Sequence, residues 1–220
     1  VLGDGMEVPD YGIYEDRDWP STAKGQAAMI TRMDADVGRL TALLTELDID
    51  RRTLLLFTSD NGPHSEGGHK HEFFDANGPL RGFKRDLYEG GIREPLIARW
   101  PGTIRPGTVS NHVCAFWDFL PTACELAGVN PTENTDGISF LPTLLGRKQK
   151  THPYLYWRYQ AKSAVRQGKW KAVRLKDSTP IELYDLESDI GETKDLAADH
   201  PQIVGRMQAV MQEAYSPPAQ

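Results

Sequence analysis

The apolar run Leu54-Leu55-Leu56-Phe57 passes through Thr58 directly into Ser59-Asp60-Asn61-Gly62. A short, continuous apolar run suits a strand buried on both faces, and so a parallel sheet. In open parallel sheets, ligands bind outside the carboxyl ends of the strands. Asp60 and Asn61 stand at such an end. A carboxylate and an amide carbonyl are hard oxygen ligands suited to Ca²⁺ or Mg²⁺. Gly62 lets the backbone turn away with no side chain in the way. An Asp-Asn-Gly turn is the competing reading, and these three residues by themselves fit it better.

The surroundings of that strand define an α/β layout. Ile30, Met33, Val37, Leu40, Leu44 and Leu47 recur at steps of three and four, one apolar face of an α-helix beginning near residue 22. Ser21 or Thr22 is the expected N-cap. Asp34, Asp36 and Arg39 fall on the polar side. After the strand comes a long stretch, 60–93, with many glycines, charges and histidines and little periodicity. Loops of that length in a compact domain are usually functional or disordered. A second strand follows over Pro95–Trp100.

The second half of the chain has another character. WDFLPTACELAG predicts a helix ending at Gly128, and DGISFLPTLLG a short helix or turn. Tyr154–Gln160, Ala164–Leu175 and Ile181–Asp189 are aromatic and β-branched segments with alternation. They predict an antiparallel sheet of three or more strands, with a hairpin turn at Gln167-Gly168. Pro201–Tyr215 predicts a last helix, with Ile203, Met207, Val210, Met211 and Ala214 on one face. The expected organisation is an α/β part over 1–110 and an α+β part over 111–220.

With 220 residues and 39% hydrophobic content, a packed core is expected. A net charge of −6 gives no reason to expect nucleic-acid binding. No stretch approaches a transmembrane span, so no membrane partner is expected. Cys114 and Cys124 would lie about 15 Å apart if on one helix, too far for a disulfide; two small buried hydrophobes are expected. The chain opens Val1-Leu2-Gly3-Asp4, with neither an initiator Met nor a signal peptide, and reads as a mature product or a fragment.

Arg81, Lys84, Arg85 and Arg93 form a local basic cluster. It reads either as a solvated loop or as a pocket for a small anion. Lys84 lies between glycine breaks, and a lysine is a point charge able to hold an anionic oxygen. A metal ion beside such a lysine would neutralise a tetrahedral anion and its developing charge.

TLLLFTSDNGPH, followed by NGPLRGFKRDLYEGGIREPLIARWPG, closely resembles the type I sulfatase family, the arylsulfatase-like branch of the alkaline phosphatase superfamily. WDFLPTACELAG, DGISFLPTLLG, GKWKAVR and IELYDLESDIGET are similar to that family's C-terminal region. The resemblance runs from about Trp19 onward. It implies part of an alkaline-phosphatase-like α/β sandwich, followed by a smaller α+β subdomain with an antiparallel sheet. It implies that Asp60 and Asn61 bind a divalent cation, Ca²⁺ rather than Mg²⁺, and that Lys84 contacts the sulfate group as a catalytic and substrate-binding residue. His64 in the PHSEGG turn is a substrate contact or a loop stabiliser. His69, Lys70 and His71 are expected on an exposed polar loop, and His112, His152 and His200 in structural or surface positions. Arg81 and Arg93 bind substrate anions or, as expected here, pair with local acids, and Arg85 is expected to be a plain loop charge.

The sequence departs from the family pattern in one large respect. The family's nucleophile is a formylglycine made in a C/S-x-P-S/A-R motif, and neither Cys114 nor Cys124 lies in one. The family's early Asp-Asp metal pair and its other lysine and histidine ligands of sulfate are absent too. The chain therefore resembles the C-terminal half of a sulfatase, with formylglycine expected in the missing N-terminal half and no turnover expected from this part alone. The substrate implied is a sulfated glycan or an aryl sulfate, and the location periplasmic or extracellular. A phosphodiesterase or phosphonate hydrolase of the same superfamily commonly carries Asp-His where this chain has Asp60-Asn61. A non-catalytic carbohydrate-binding or scaffold fragment would use Tyr154, Trp157 and Tyr159, which fit a sheet core equally well.

Overall fold

The computed structural model describes residues 5–130 and 135–215, so the opening four residues lie outside it. It comprises two compact units, Val1–Leu96 and Ile97–Gln220.

The first unit is dominated by α1 (Ser21–Glu46), the helix that the apolar periodicity predicts. Its N-cap is Pro20, not Ser21 or Thr22, and no side chain caps it. Proline fixes the entry angle here without supplying a hydroxyl. One end of α1 is packed tightly. Met6, Ala23 and Ala28 are buried, and a Cβ on Gly25 would stand 2.1 Å from the Met6 carbonyl oxygen. Trp19 stacks on Tyr14 at 5.7 Å and meets the edges of Phe73 and Phe74 at 5.9 and 5.2 Å. Further along, Ile30, Met33, Leu40 and Leu47 of the apolar stripe are exposed. Asp36 and Arg39 pair with each other on the polar side.

The apolar run forms β1 (Leu55–Thr58), and it is half-buried, not buried on both faces. The long segment after it is irregular apart from a 3₁₀ turn at His71–Phe74 and the single turn α2 (Glu89–Ile92). β2 (Leu96–Arg99) follows.

The second unit starts within β2, is irregular beyond it, and gathers around Asp118, which is wholly buried. Its carboxylate accepts the Ala115 and Ile138 N–H groups, each at 2.8 Å, and lies 2.8 Å from His152 Nε2. α3 (Phe119–Ala127) starts directly after it and ends at Gly128, whose φ of +68° is the left-handed helix stop that glycine favours. α4 (Leu141–Leu144) is bonded back to α3 through Thr122, whose Oγ1 accepts the Phe140 N–H at 3.0 Å. Cys124 lies on α3 and Cys114 does not. Both are free and half-buried, so the expectation of two fully buried hydrophobes is corrected.

β3 (Leu155–Tyr159), β4 (Lys162–Gln167), β5 (Trp170–Arg174) and β6 (Glu182–Asp185) form one antiparallel meander in chain order. Gln167 pairs with Trp170, so the hairpin loop is Gly168-Lys169, one residue later than the sequence suggests. Gly168 supplies the left-handed φ of +59° that this turn requires. α5 (Pro201–Glu213) covers one face of the sheet. Met207 and Met211 pack there against Val165, Ala172, Ile181 and Leu183, with Tyr154 at the margin of the core.

Candidate active site

Two stretches of backbone cross at close range behind β1. The Gly62 N–H donates to the Gly91 carbonyl at 3.1 Å, and the Lys84 N–H donates to the Pro63 carbonyl at 2.8 Å. A Cβ on Gly62 would stand 1.9 Å from the Gly90 carbonyl oxygen. Only glycine leaves room for this crossing. The loop is held from its other end by Asn77, whose Nδ2 donates to the Leu80 and Gly82 carbonyls at 2.7 and 2.9 Å. Lys84 is thereby tied to the residue two places beyond Asn61, although 23 positions separate it from Asn61 in the chain.

The two sequence-predicted cation ligands are adjacent and oriented by each other. Asn61 Nδ2 donates to Asp60 Oδ1 at 2.9 Å, which turns the amide carbonyl away from the carboxylate. Glu94 is close enough for the Asp60 charge to act on it. Burial first, and the Asp60 charge second, push the Glu94 carboxyl above its ordinary range. Its Oε1 is buried with no hydrogen-bond partner. Hard oxygen donors in surplus negative charge fit a divalent cation such as Ca²⁺. Two side chains cannot fill a shell of about six to eight oxygens, so a cation here would need further ligands.

Lys84 is neither a free surface lysine nor isolated in a pocket. Its Nζ donates to Glu66 Oε2 at 3.1 Å, and Arg85 Nη2 donates to Glu66 Oε1 at 2.5 Å. Lys84 first and Arg85 second hold the Glu66 carboxyl down at about 2. Glu66 in turn gives its backbone N–H to His64 Nδ1 at 3.1 Å. This bond supports the loop-stabilising reading of His64.

His69 and His71 depart from expectation: both are buried. His69 stacks on Phe74 at 6.3 Å and meets His64 edge-on at 6.0 Å. Burial, with His64 and His71 contributing, pushes its pKa below the ordinary value. His71 stacks on Phe83 at 4.5 Å and lies 2.6 Å from Ser65 Oγ through Nδ1. Arg93 pairs with Glu89 at 3.0 Å, and Arg81 lies over the Tyr88 ring at 3.9 Å. Among the described residues, no group of three or more His, Cys, Asp or Glu side chains is placed to hold a metal ion by itself.

Comparison with known proteins identifies the family of the chain. The Sulfatase family model matches residues 7–129, and the model for the C-terminal region of N-sulphoglucosamine sulphohydrolase matches 70–216. The chain belongs to the sulfatase family. It is 37% identical over 150 residues to N-acetylgalactosamine-6-sulfatase of Mus musculus, covering 65% of this chain and 28% of that protein. It is 34% identical over 199 residues to arylsulfatase A of Homo sapiens, covering 76% of this chain and 38% of that protein. The crystal structure of Ps i-CgsB in complex with k-i-k-neocarrahexaose superposes with a TM-score of 0.81 at 26% identity, covering 94% of this chain and 46% of that one. In each case the chain spans less than half of the relative's length.

Proposed function

We propose that this chain carries the cation- and sulfate-binding part of a sulfuric ester hydrolase acting on a sulfated carbohydrate or aryl sulfate, in the periplasm or outside the cell. The observation that carries the reading is the Lys84–Pro63 backbone bond, which brings the lysine loop to the Asp60-Asn61 turn. The names of the relatives, sulfatases of N-acetylgalactosamine and of aryl esters, support the substrate class.

In this reading Asp60 and Asn61 would hold Ca²⁺ in preference to Mg²⁺. A cation bound there would supply Lewis acidity toward the sulfate oxygens. Lys84 binds and orients a sulfate oxygen and stabilises the negative charge that grows there as the S–O bond breaks. His64 shapes the turn that carries Glu66, and its Nε2 is the atom available for a substrate contact. The formylglycine of the family does not fit Cys114 or Cys124, which lie in no C/S-x-P-S/A-R motif.

The test is made in an enzyme assembled with its nucleophile-bearing part. Lys84→Ala should lower kcat/KM by roughly 10²–10³-fold, by analogy with loss of one oxyanion donor. Lys70→Ala, an exposed lysine of the same region, should leave it within about twofold. Arg85 is no inert reference, because it shares Glu66 with Lys84. Equal losses from Lys84→Ala and Lys70→Ala would reduce the lysine to general loop charge.

A further inference from the structure

The Glu66 carboxylate sits between two cations, with one oxygen on Lys84 and the other on Arg85. Packing does not demand this. Lys84 and Glu66 side chains are 29% and 30% exposed, and Arg85 is 52% exposed. Ion pairs so open to water contribute little to stability and can exchange partners. The backbone beneath them is nonetheless specialised. Arg85 has a φ of +76°, a left-handed conformation that a residue with a Cβ rarely adopts. In an extended chain, consecutive side chains point to opposite sides. The turn at Arg85 breaks that alternation, so two consecutive cations reach one carboxylate. Strained backbone of this kind collects at ligand clamps.

A sulfate ester offers a pair of oxygens much like those of a carboxylate, and arginine's planar fork suits either. We infer that Lys84 and Arg85 together form one anion site, and that Glu66 is its internal occupant, displaced when the sulfate group of a ligand binds. The inference rests on Lys84 being a sulfate contact. It adds Arg85 as a second contact and makes Glu66 a competitor of the ligand. Displacement moves a half-exposed carboxylate into water, while the loop is kept in place by the Lys84–Pro63 and Asn77 bonds. Because Glu66 stays ionised well below neutral pH, it cancels one of the site's two positive charges when no ligand is bound. Weakly held anions are then excluded, and a group able to engage both cations is selected.

The test uses inorganic sulfate titrated calorimetrically into the chain and three variants. Glu66→Gln should bind sulfate about fivefold tighter, the equivalent of removing a competing exposed ion pair. Lys84→Met and Arg85→Met should each bind it more weakly. Without any substitution, saturating sulfate should move the Glu66 carboxyl titration, followed by ¹³C NMR, up from about 2 toward the ordinary glutamate value. Unchanged or weaker binding by a folded Glu66→Gln overturns the inference. If that variant melts early, a Glu66 titration unmoved by saturating sulfate overturns it instead. Weaker binding in Lys84→Met with unchanged binding in Arg85→Met rejects the present inference and keeps the lysine reading. Unchanged binding in Lys84→Met, or no sulfate binding by the unsubstituted chain and Glu66→Gln alike, rejects both.

Discussion

Lys171 Nζ lies 3.0 Å from Glu192 Oε1 inside the C-terminal unit, and both side chains are completely buried. Lys171 comes from β5, opposite Tyr184 of β6. Glu192 comes from the loop after β6 and holds a left-handed φ of +52°. Removing one partner of such a pair strands a charge away from water. Lys171→Met should therefore cost about 3–5 kcal/mol of stability, whereas replacing both members with apolar residues of similar volume should be close to neutral. Urea denaturation of the single and double variants checks this. A double variant as unstable as the single one would show that the φ of Glu192, not the charge pair, is the sensitive feature.

Gly62 and Gly38 make a contrasting pair. A Cβ on Gly62 would collide with the Gly90 backbone, while one on Gly38 meets nothing within 4 Å. Gly62→Ala should cost about 1–3 kcal/mol through forced backbone movement. Gly38→Ala, on an exposed turn of α1, should gain about 0.8–1 kcal/mol from helix propensity. Thermal melts of the two variants test the assignment. A Gly62→Ala variant as stable as the parent would mean that the crossing behind β1 is loose.

Much of this architecture was legible because it is periodic. The steps of three and four from Ile30 to Leu47 predict α1, and the alternation around Ala164–Val173 predicts the meander. The hairpin at Gly168 was misplaced by one residue because either neighbour of that glycine could complete the turn. The network of the candidate site was less legible. Glu66 and Lys84 are 18 residues apart, and no periodicity links them. Only the acid in PHSEGG and the basic cluster over 81–93 hinted at a meeting. His69 and His71 were misread because a polar, glycine-rich stretch looks solvated. In the fold Phe74 and Phe83 cover their rings, supplying apolar surface that hydropathy along the loop does not show. Glu94 was missed because its environment depends on where Asp60 ends up.

Glu66 predicts an acid response. Its folded pKa of about 2 lies below the ordinary 4.5, so its ion pairs contribute stability that is present above 4.5. That contribution is lost as pH falls through the window from 4.5 toward 2. The group is open to solvent, so the effect should be small and salt-sensitive. Comparing Glu66→Gln with the parent, the difference in melting temperature should shrink between pH 5 and pH 2.5, and should be smaller in high salt. A difference independent of pH would contradict the ion pairing.

The last prediction separates a cation site from a turn at Asp60-Asn61. In a turn, the Asn61–Asp60 bond is the purpose of the pair, and calcium should not change stability. In a cation site that bond orients the amide, leaving its carbonyl and a carboxylate oxygen for the metal. Calcium that binds only the folded chain stabilises it by mass action, about 2.7 kcal/mol at a hundredfold excess over Kd. Chelation by EDTA should then lower the melting temperature of the parent. Asp60→Ala removes a charged ligand and should abolish that response, with affinity reduced by more than the roughly 10–100-fold typical of losing an outer-shell partner. Asn61→Ala removes a neutral ligand and should weaken binding less. Calorimetric titration of calcium into the three proteins gives the order directly. Undiminished affinity in Asp60→Ala would leave the pair as a turn and move any cation site elsewhere.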